Sequence, residues 1–100
     1  MPNNEISELD EIKREYYERI EDERKRASRY FKVRDYESCK KHLDNVLTIA
    51  FHSYDLETLR DTFHLKALVC IFFDDYPEAL KSFKKLRDVA SEEENGLAKM

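Results

Sequence analysis

Displaced by forty positions, the sequence falls on itself. Ala27 lands on Ala67, Asp35 on Asp75, Tyr36 on Tyr76, Lys41 on Lys81 and Ala50 on Ala90. Between these identities the residue classes agree: Phe31 meets Ile71, Val33 meets Phe73, Cys39 meets Ala79, Leu43 meets Phe83, Val46 meets Leu86 and Ile49 meets Val89. Small positions recur as small and large apolar ones as large, the pattern of two copies of one packed unit.

Each unit reads as helix, tight turn, helix. With one glycine and two prolines in 100 residues, the chain lacks the punctuation that turn-rich β architectures need. Charged residues make up 40% of it, as suits long amphipathic helices with solvated outer faces. In the second unit Asp55 is a candidate N-cap for a helix over 56–73, whose face carries Phe63, Ala67, Cys70 and Phe73. Asp74-Asp75 makes the turn. The next helix, over 76–94, opens on Tyr76-Pro77-Glu78, where proline's missing N–H leaves no bond unmade. Its stripe is Ala79, Phe83, Leu86 and Ala90. The acidic run Glu92–Glu94 opposes the macrodipole at its C-terminal end, so fraying is expected there, with Asn95-Gly96 closing the helix.

The first unit turns at Arg34-Asp35, and Tyr36, Cys39, Leu43, Val46 and Ile49 carry its second helix. Its first helix has two readings, because the helical pattern runs back through Ile20, Tyr16, Ile12 and Leu9 to Ile6. Either one long helix runs to about Val33, or a short extra helix precedes the hairpin. Salt-bridge spacings at Glu15–Arg19, Glu21–Lys25 and Asp22–Arg26 would add roughly 0.2–0.5 kcal/mol each.

Several function classes are disfavoured. A net charge of −4 is not the basic footprint of a duplex binder. No apolar run approaches the ~18 residues of a membrane span. Met1 to Asp10 lacks the basic-then-apolar pattern of a signal peptide. Cys39 and Cys70 stand alone on separate helical stretches and read as buried thiols in a reducing, cytoplasmic setting; a disulfide or redox pair is the alternative. His42, His52 and His64 lack the close spacing that gathers metal ligands. There is no phosphate-cradling glycine loop and no Gly-x-Ser-x-Gly turn. The reading is a non-enzyme with no cofactor and no metal.

At Ala67 to Leu86, and above all at Asp-Asp-Tyr-Pro-Glu-Ala-Leu over 74–80, the chain resembles the tetratricopeptide repeat family. Asp35-Tyr36 with Cys39 and Leu43 is a second, weaker copy. The period of forty is similar to the long-helix variety found in kinesin light chain, rapsyn and mitotic-spindle adaptors. The likeness covers Glu23 to Met100. It departs from the family at the turns, where Arg34 and Asp74 replace glycine, and at Arg26 and Lys66, where the family usually places leucine.

The resemblance implies an all-α fold, antiparallel helical hairpins of a short α-solenoid. The expected parts are a charged helical extension over 1–22, hairpins over about 23–53 and 56–94, and the start of a further helix or a tail over 95–100. It also implies a groove lined by the first helix of each hairpin, holding a partner's peptide or helix. Carried over by position, the first hairpin offers Arg24, Lys25, Ser28, Phe31 and Lys32, and the second offers His64, Leu65, Leu68, Ile71 and Phe72. Such a groove is basic at one end and apolar at the other, and suits an acidic, hydrophobic protein segment. The carboxylate clamp of chaperone-binding members is missing, since Ser28 and Leu65 stand at its asparagine positions.

The function expected is that of a non-catalytic adaptor or scaffold. The alternative is a self-associating structural module, with Leu65, Leu68 and Phe72 covered by the N-terminal segment or a second chain. An RNA-binding helical repeat rests on the basic cluster from Arg24 to Arg34, which Glu21, Asp22 and Glu23 offset. Two repeats are fewer than the three a solenoid usually needs. A longer array, or a second chain over the face carrying Leu80, Phe83, Leu86 and Val89, is therefore expected.

Overall fold

The computed structural model describes residues 3–98, and side chains over 7–96. Four helices follow one another: α1 (Asn3–Lys32), α2 (Tyr36–His52), α3 (Leu56–Phe72) and α4 (Tyr76–Ala98), with no strand among the described residues. Consecutive helices pack side by side as antiparallel hairpins in a slab of 55 × 35 × 15 Å. No helix is long and apolar enough to cross a membrane among the described residues.

One turn, used three times, produces this arrangement. Arg34, Tyr54 and Asp74 occupy the left-handed region at φ 61°, 51° and 61°. In each case the next residue is an aspartate whose N–H reaches back to the helix just ended: Asp35 to the Tyr30 carbonyl at 2.9 Å, Asp55 to Ala50 at 2.9 Å and Asp75 to Cys70 at 2.8 Å. This is the Schellman ending, built here without glycine. The same aspartate then caps the helix that follows. The Asp35 and Asp55 carboxylates accept from the N–H of Ser38 and Thr58 at 3.1 Å, and Asp75 accepts from that of Glu78 at 3.4 Å. The hydroxyls of Ser38 and Thr58 add bonds of 2.8 and 2.6 Å. These donors hold Asp35 below the usual carboxylate range. At Asp55 burial pushes the other way, but Thr58 and Tyr16 outweigh it.

The structural step is therefore twenty residues, one helix and one turn. The forty-residue sequence repeat is two steps. Tyr16 donates to Asp55 at 2.8 Å and Tyr36 to Asp75 at 2.7 Å, so the same tie, from a helix to the cap two helices on, recurs one step later. Burial, with the Asp55 carboxylate beside it, pushes the Tyr16 hydroxyl up to about 12.

Two apolar clusters fill the slab. Ala27, Cys39, Leu43 and Val69 join α1, α2 and α3, and Phe31, Tyr36 and Phe73 pack against them. Leu47, Ala50, Leu59, Phe63 and Val89 join α2, α3 and α4. Lys66 is also inside, 9% exposed, with Nζ 2.7 Å from Asp44 of α2 and 3.5 Å from Glu78 of α4. Burial alone would depress its pKa; the two carboxylates reverse that and raise it.

The structure answers or corrects several expectations. The N-terminal stretch is one helix to Lys32, continuous with the first hairpin, where the sequence left one helix or two. The ion pairs expected at Glu15–Arg19, Glu21–Lys25 and Asp22–Arg26 do not close. Asn95 and Gly96 do not end the last helix, which runs to Ala98. The acids expected to fray it are held from outside: Glu92 accepts from the Tyr54 hydroxyl at 3.1 Å, and Glu93 from Arg60 at 3.0 and 3.2 Å. Val89, expected on the open face, is buried against α2 and α3, while Leu80 and Phe83 do face outward. Lys99 and Met100 lie outside the described residues.

Candidate functional site

α1 and α3 both pack on α2, and a groove opens between them. At its centre is a cavity of about 230 Å³ walled by Ala27, Ser28 and Phe31 of α1 and Leu65 and Val69 of α3. Cys39 and Leu43 of α2 form its floor, and Arg24 stands at its edge. The walls are apolar because both helices turn toward α2 the stripe that holds the hairpins together. The gap between them stays unfilled because the α1 residues facing it, Ala27 and Ser28, are small.

Beyond Arg24 the groove changes character. A second cavity of about 260 Å³ is lined by Tyr17, Ile20, Glu21 and Arg24 of α1 and by Asp55, Glu57, Thr58 and Asp61 at the start of α3. Four carboxylates against one guanidinium make this end acidic. At the opposite end Phe31 packs on Phe72 with centroids 4.8 Å apart, Phe72 meets Phe73 at 5.2 Å, and Tyr36 stacks on Phe73 at 5.0 Å. The Arg34 guanidinium lies 5.4 Å above the Phe72 ring. The Tyr36 hydroxyl, bonded to Asp75 and 3.2 Å from the Cys70 sulfur, anchors this end; burial drives its pKa upward.

Arg24, Ser28, Phe31 and Leu65 thus line the groove, and Phe72 extends it. Lys25, Lys32 and His64 are exposed and line neither cavity, as is Leu68, 48% exposed on the outer side of α3. Sequence reasoning passed over the floor residues Cys39 and Leu43 and the acidic end. The signal for that end was present: Asp55, Glu57 and Asp61 cluster at one helix start, four or fewer residues apart.

Cys39 and Cys70 are buried free thiols, and burial pushes both upward in pKa, away from a reactive thiolate. His42 holds Glu23 at 2.6 Å, with Tyr30 stacked on its ring at 5.4 Å and Asn45 sharing the carboxylate. Its role there is to fasten α1 to α2. Among the described residues no group of three or more His, Cys, Asp or Glu is gathered to hold a metal.

No family model, curated protein or solved structure matches the chain.

Proposed function

We propose that this chain is a non-catalytic interaction module of the tetratricopeptide type, acting as an adaptor or scaffold in the cytoplasm. On this reading, the groove between α1 and α3 takes a segment of a partner protein. The observation that carries it is the unfilled apolar cavity between two helices that leave Leu65 and Phe72 43% and 50% exposed at its rim. Exposed apolar groups around a concave site are the usual mark of recognition. The repeated turn, the antiparallel hairpins and the forty-residue period support the repeat type. Two buried, unpaired thiols suit a reducing compartment.

The partner segment is hydrophobic where it crosses Phe31, Leu65 and Phe72, and acidic where it meets Arg24 and Arg34. A basic residue would suit its other end, beside Glu57 and Asp61. An extended strand or a slim helix is consistent with the groove's narrow floor.

A capture experiment with this chain as bait, followed by binding kinetics on the captured protein, is the test. Arg24→Glu with Arg34→Glu should slow association, most at low salt. Phe72→Ala should speed dissociation. Tyr30→Ala, on the opposite face of α1, should leave both rates unchanged. Binding that survives the combined groove variant and fails in Tyr30→Ala would move the site to the opposite face.

A further inference from the structure

The stripe of α1 that packs on α2 does not stop where α2 ends. Tyr16, Ile20 and Ala27 lie on it within the hairpin; Leu9 and Ile12 continue it toward the N-terminus, 59% and 63% exposed. With 30 residues against 17, α1 outruns α2 by roughly 20 Å at 1.5 Å per residue. From Ser7 on, where side chains are described, Leu9 and Ile12 leave its inward face bare.

At the far end of the slab the want is of the opposite kind. Among the described residues nothing lies over the outer face of α4, where Tyr76, Leu80 and Phe83 are 61%, 56% and 38% exposed at helical spacing. Leu68 and Ile71 of α3, 48% and 39% exposed, adjoin that face. It occupies the place, one repeat on, that α3 covers on α2.

The charges of the two ends complement each other. Residues 3–18 hold six acids and two bases, whereas residues 79–90 hold four bases and one acid. Lys84 and Arg87 stand one turn beyond Leu80 and Phe83. Glu8 and Glu15 border Leu9 and Ile12 along one edge of α1.

We propose that these two surfaces are the halves of one interface between copies of this chain. The N-terminal length of α1 of one copy lies along α4 of the next, in the position a fifth helix would take. Leu9 and Ile12 meet Leu80 and Phe83, and Glu8 and Glu15 meet Lys84 and Arg87. The contact is heterologous, so copies add head to tail and each addition leaves a fresh head and tail. The groove lined by Phe31 and Leu65 stays open in such an assembly, so this inference stands apart from the proposed function.

Sedimentation velocity on the whole chain over a range of concentrations tests it. The wild type should sediment faster as concentration rises, and less so in high salt. Leu9→Glu with Ile12→Glu removes the head; Leu80→Glu with Phe83→Glu removes the tail. All four positions are exposed, so circular dichroism should show both variants helical. Each alone should run as a monomer. Mixed, they retain one intact head and one intact tail between them and should form a two-chain complex and nothing larger. A second pair, Glu8→Lys with Glu15→Lys and Lys84→Glu with Arg87→Glu, should weaken assembly at least tenfold singly and regain part of it when mixed at low salt. A wild type monomeric at every concentration overturns the proposal. So does a helical head variant that still assembles alone, or a mixture of head and tail variants that stays monomeric.

Discussion

Leu43 and Phe83 hold the same position of the repeat, forty residues apart, yet Leu43 is 1% exposed and Phe83 38%. Their neighbours divide the same way. Tyr36 reaches across α3 to Asp75, while the Tyr76 hydroxyl finds only Asp74 of its own turn at 3.2 Å. Phe31 is packed between Phe72 and Phe73; Ile71, its counterpart, is 39% exposed. The residues hardly differ in chemistry. What differs is that the first hairpin has α3 beside it and the second, among the described residues, has no helix there. In a structure made of repeats, the worth of a side chain is set by whether the next unit is present.

Truncation at the paired position should expose this difference most sharply. Leu43→Ala removes a side chain enclosed by α1, α2 and α3 and should cost about 2–5 kcal/mol. Phe83→Ala in the monomer should cost less, about 1–2 kcal/mol, since over a third of the side chain is already in water. Urea denaturation of dilute protein measures both. Equal losses would mean that the outer face of α4 is covered in solution.

A smaller contrast lies in the tyrosines. Tyr36→Phe leaves the Asp75 carboxylate without its 2.7 Å donor and should cost about 1–2 kcal/mol. Tyr76→Phe should change stability by a few tenths of a kcal/mol, because its hydroxyl is at the surface. Thermal melts of the two variants would show whether the long-range tie contributes, and similar Tm values would show that it does not.

The smallest contrast is among the caps, and it appears in acid. Asp35, Asp55 and Asp75 are all held below the ordinary aspartate value of 3.8 by the donors they serve. A depressed carboxylate contributes stability that is complete above that value and is lost as the pH falls through the lower folded value. Stability should therefore drop below about pH 4. The Tyr36→Phe variant, missing the donor that does most to lower Asp75, should lose less of its remaining stability over that range than the wild type. Stability curves of parallel slope in acid would contradict the assignment.

Much of this fold was legible in the residues because helix punctuation is local. Asp55 as a cap and Asp74-Asp75 as a turn follow from short-range bonds, and they fix α3 and α4 to within a few residues. The twenty-residue step was hidden because adjacent helices exchange large for small: Ala27 against Leu47, Cys39 against Leu59. The caps at 35, 55 and 75, with Tyr16 and Tyr36, keep the step in view. Gly96 misled because glycine so often ends helices. Here its surroundings are open and bonds from Tyr54 and Arg60 hold the preceding turn, at a cost of about 1 kcal/mol against alanine. In the groove, family positions located Arg24, Phe31 and Leu65, but the rotation of α1 that turns Lys25 and Lys32 outward depends on packing against α2. At the acidic end Asp55, Glu57 and Asp61 share one short window, and only Glu21, brought across from α1, needed the fold to place it beside them.

Lys66 has a consequence of a different kind. Its counterparts one step away are Val46 and Leu86, and a base recurs only at Arg26 two steps back, so it marks α3 as unlike the two helices it packs between. Were a helix to dock one place out of order, Asp44 and Glu78 would meet a hydrocarbon and the ammonium would enter an apolar slot alone. An unpaired charge in such a place costs several kcal/mol. One misplaced-looking lysine thus serves as an address, penalising shuffled assemblies that apolar packing by itself would tolerate.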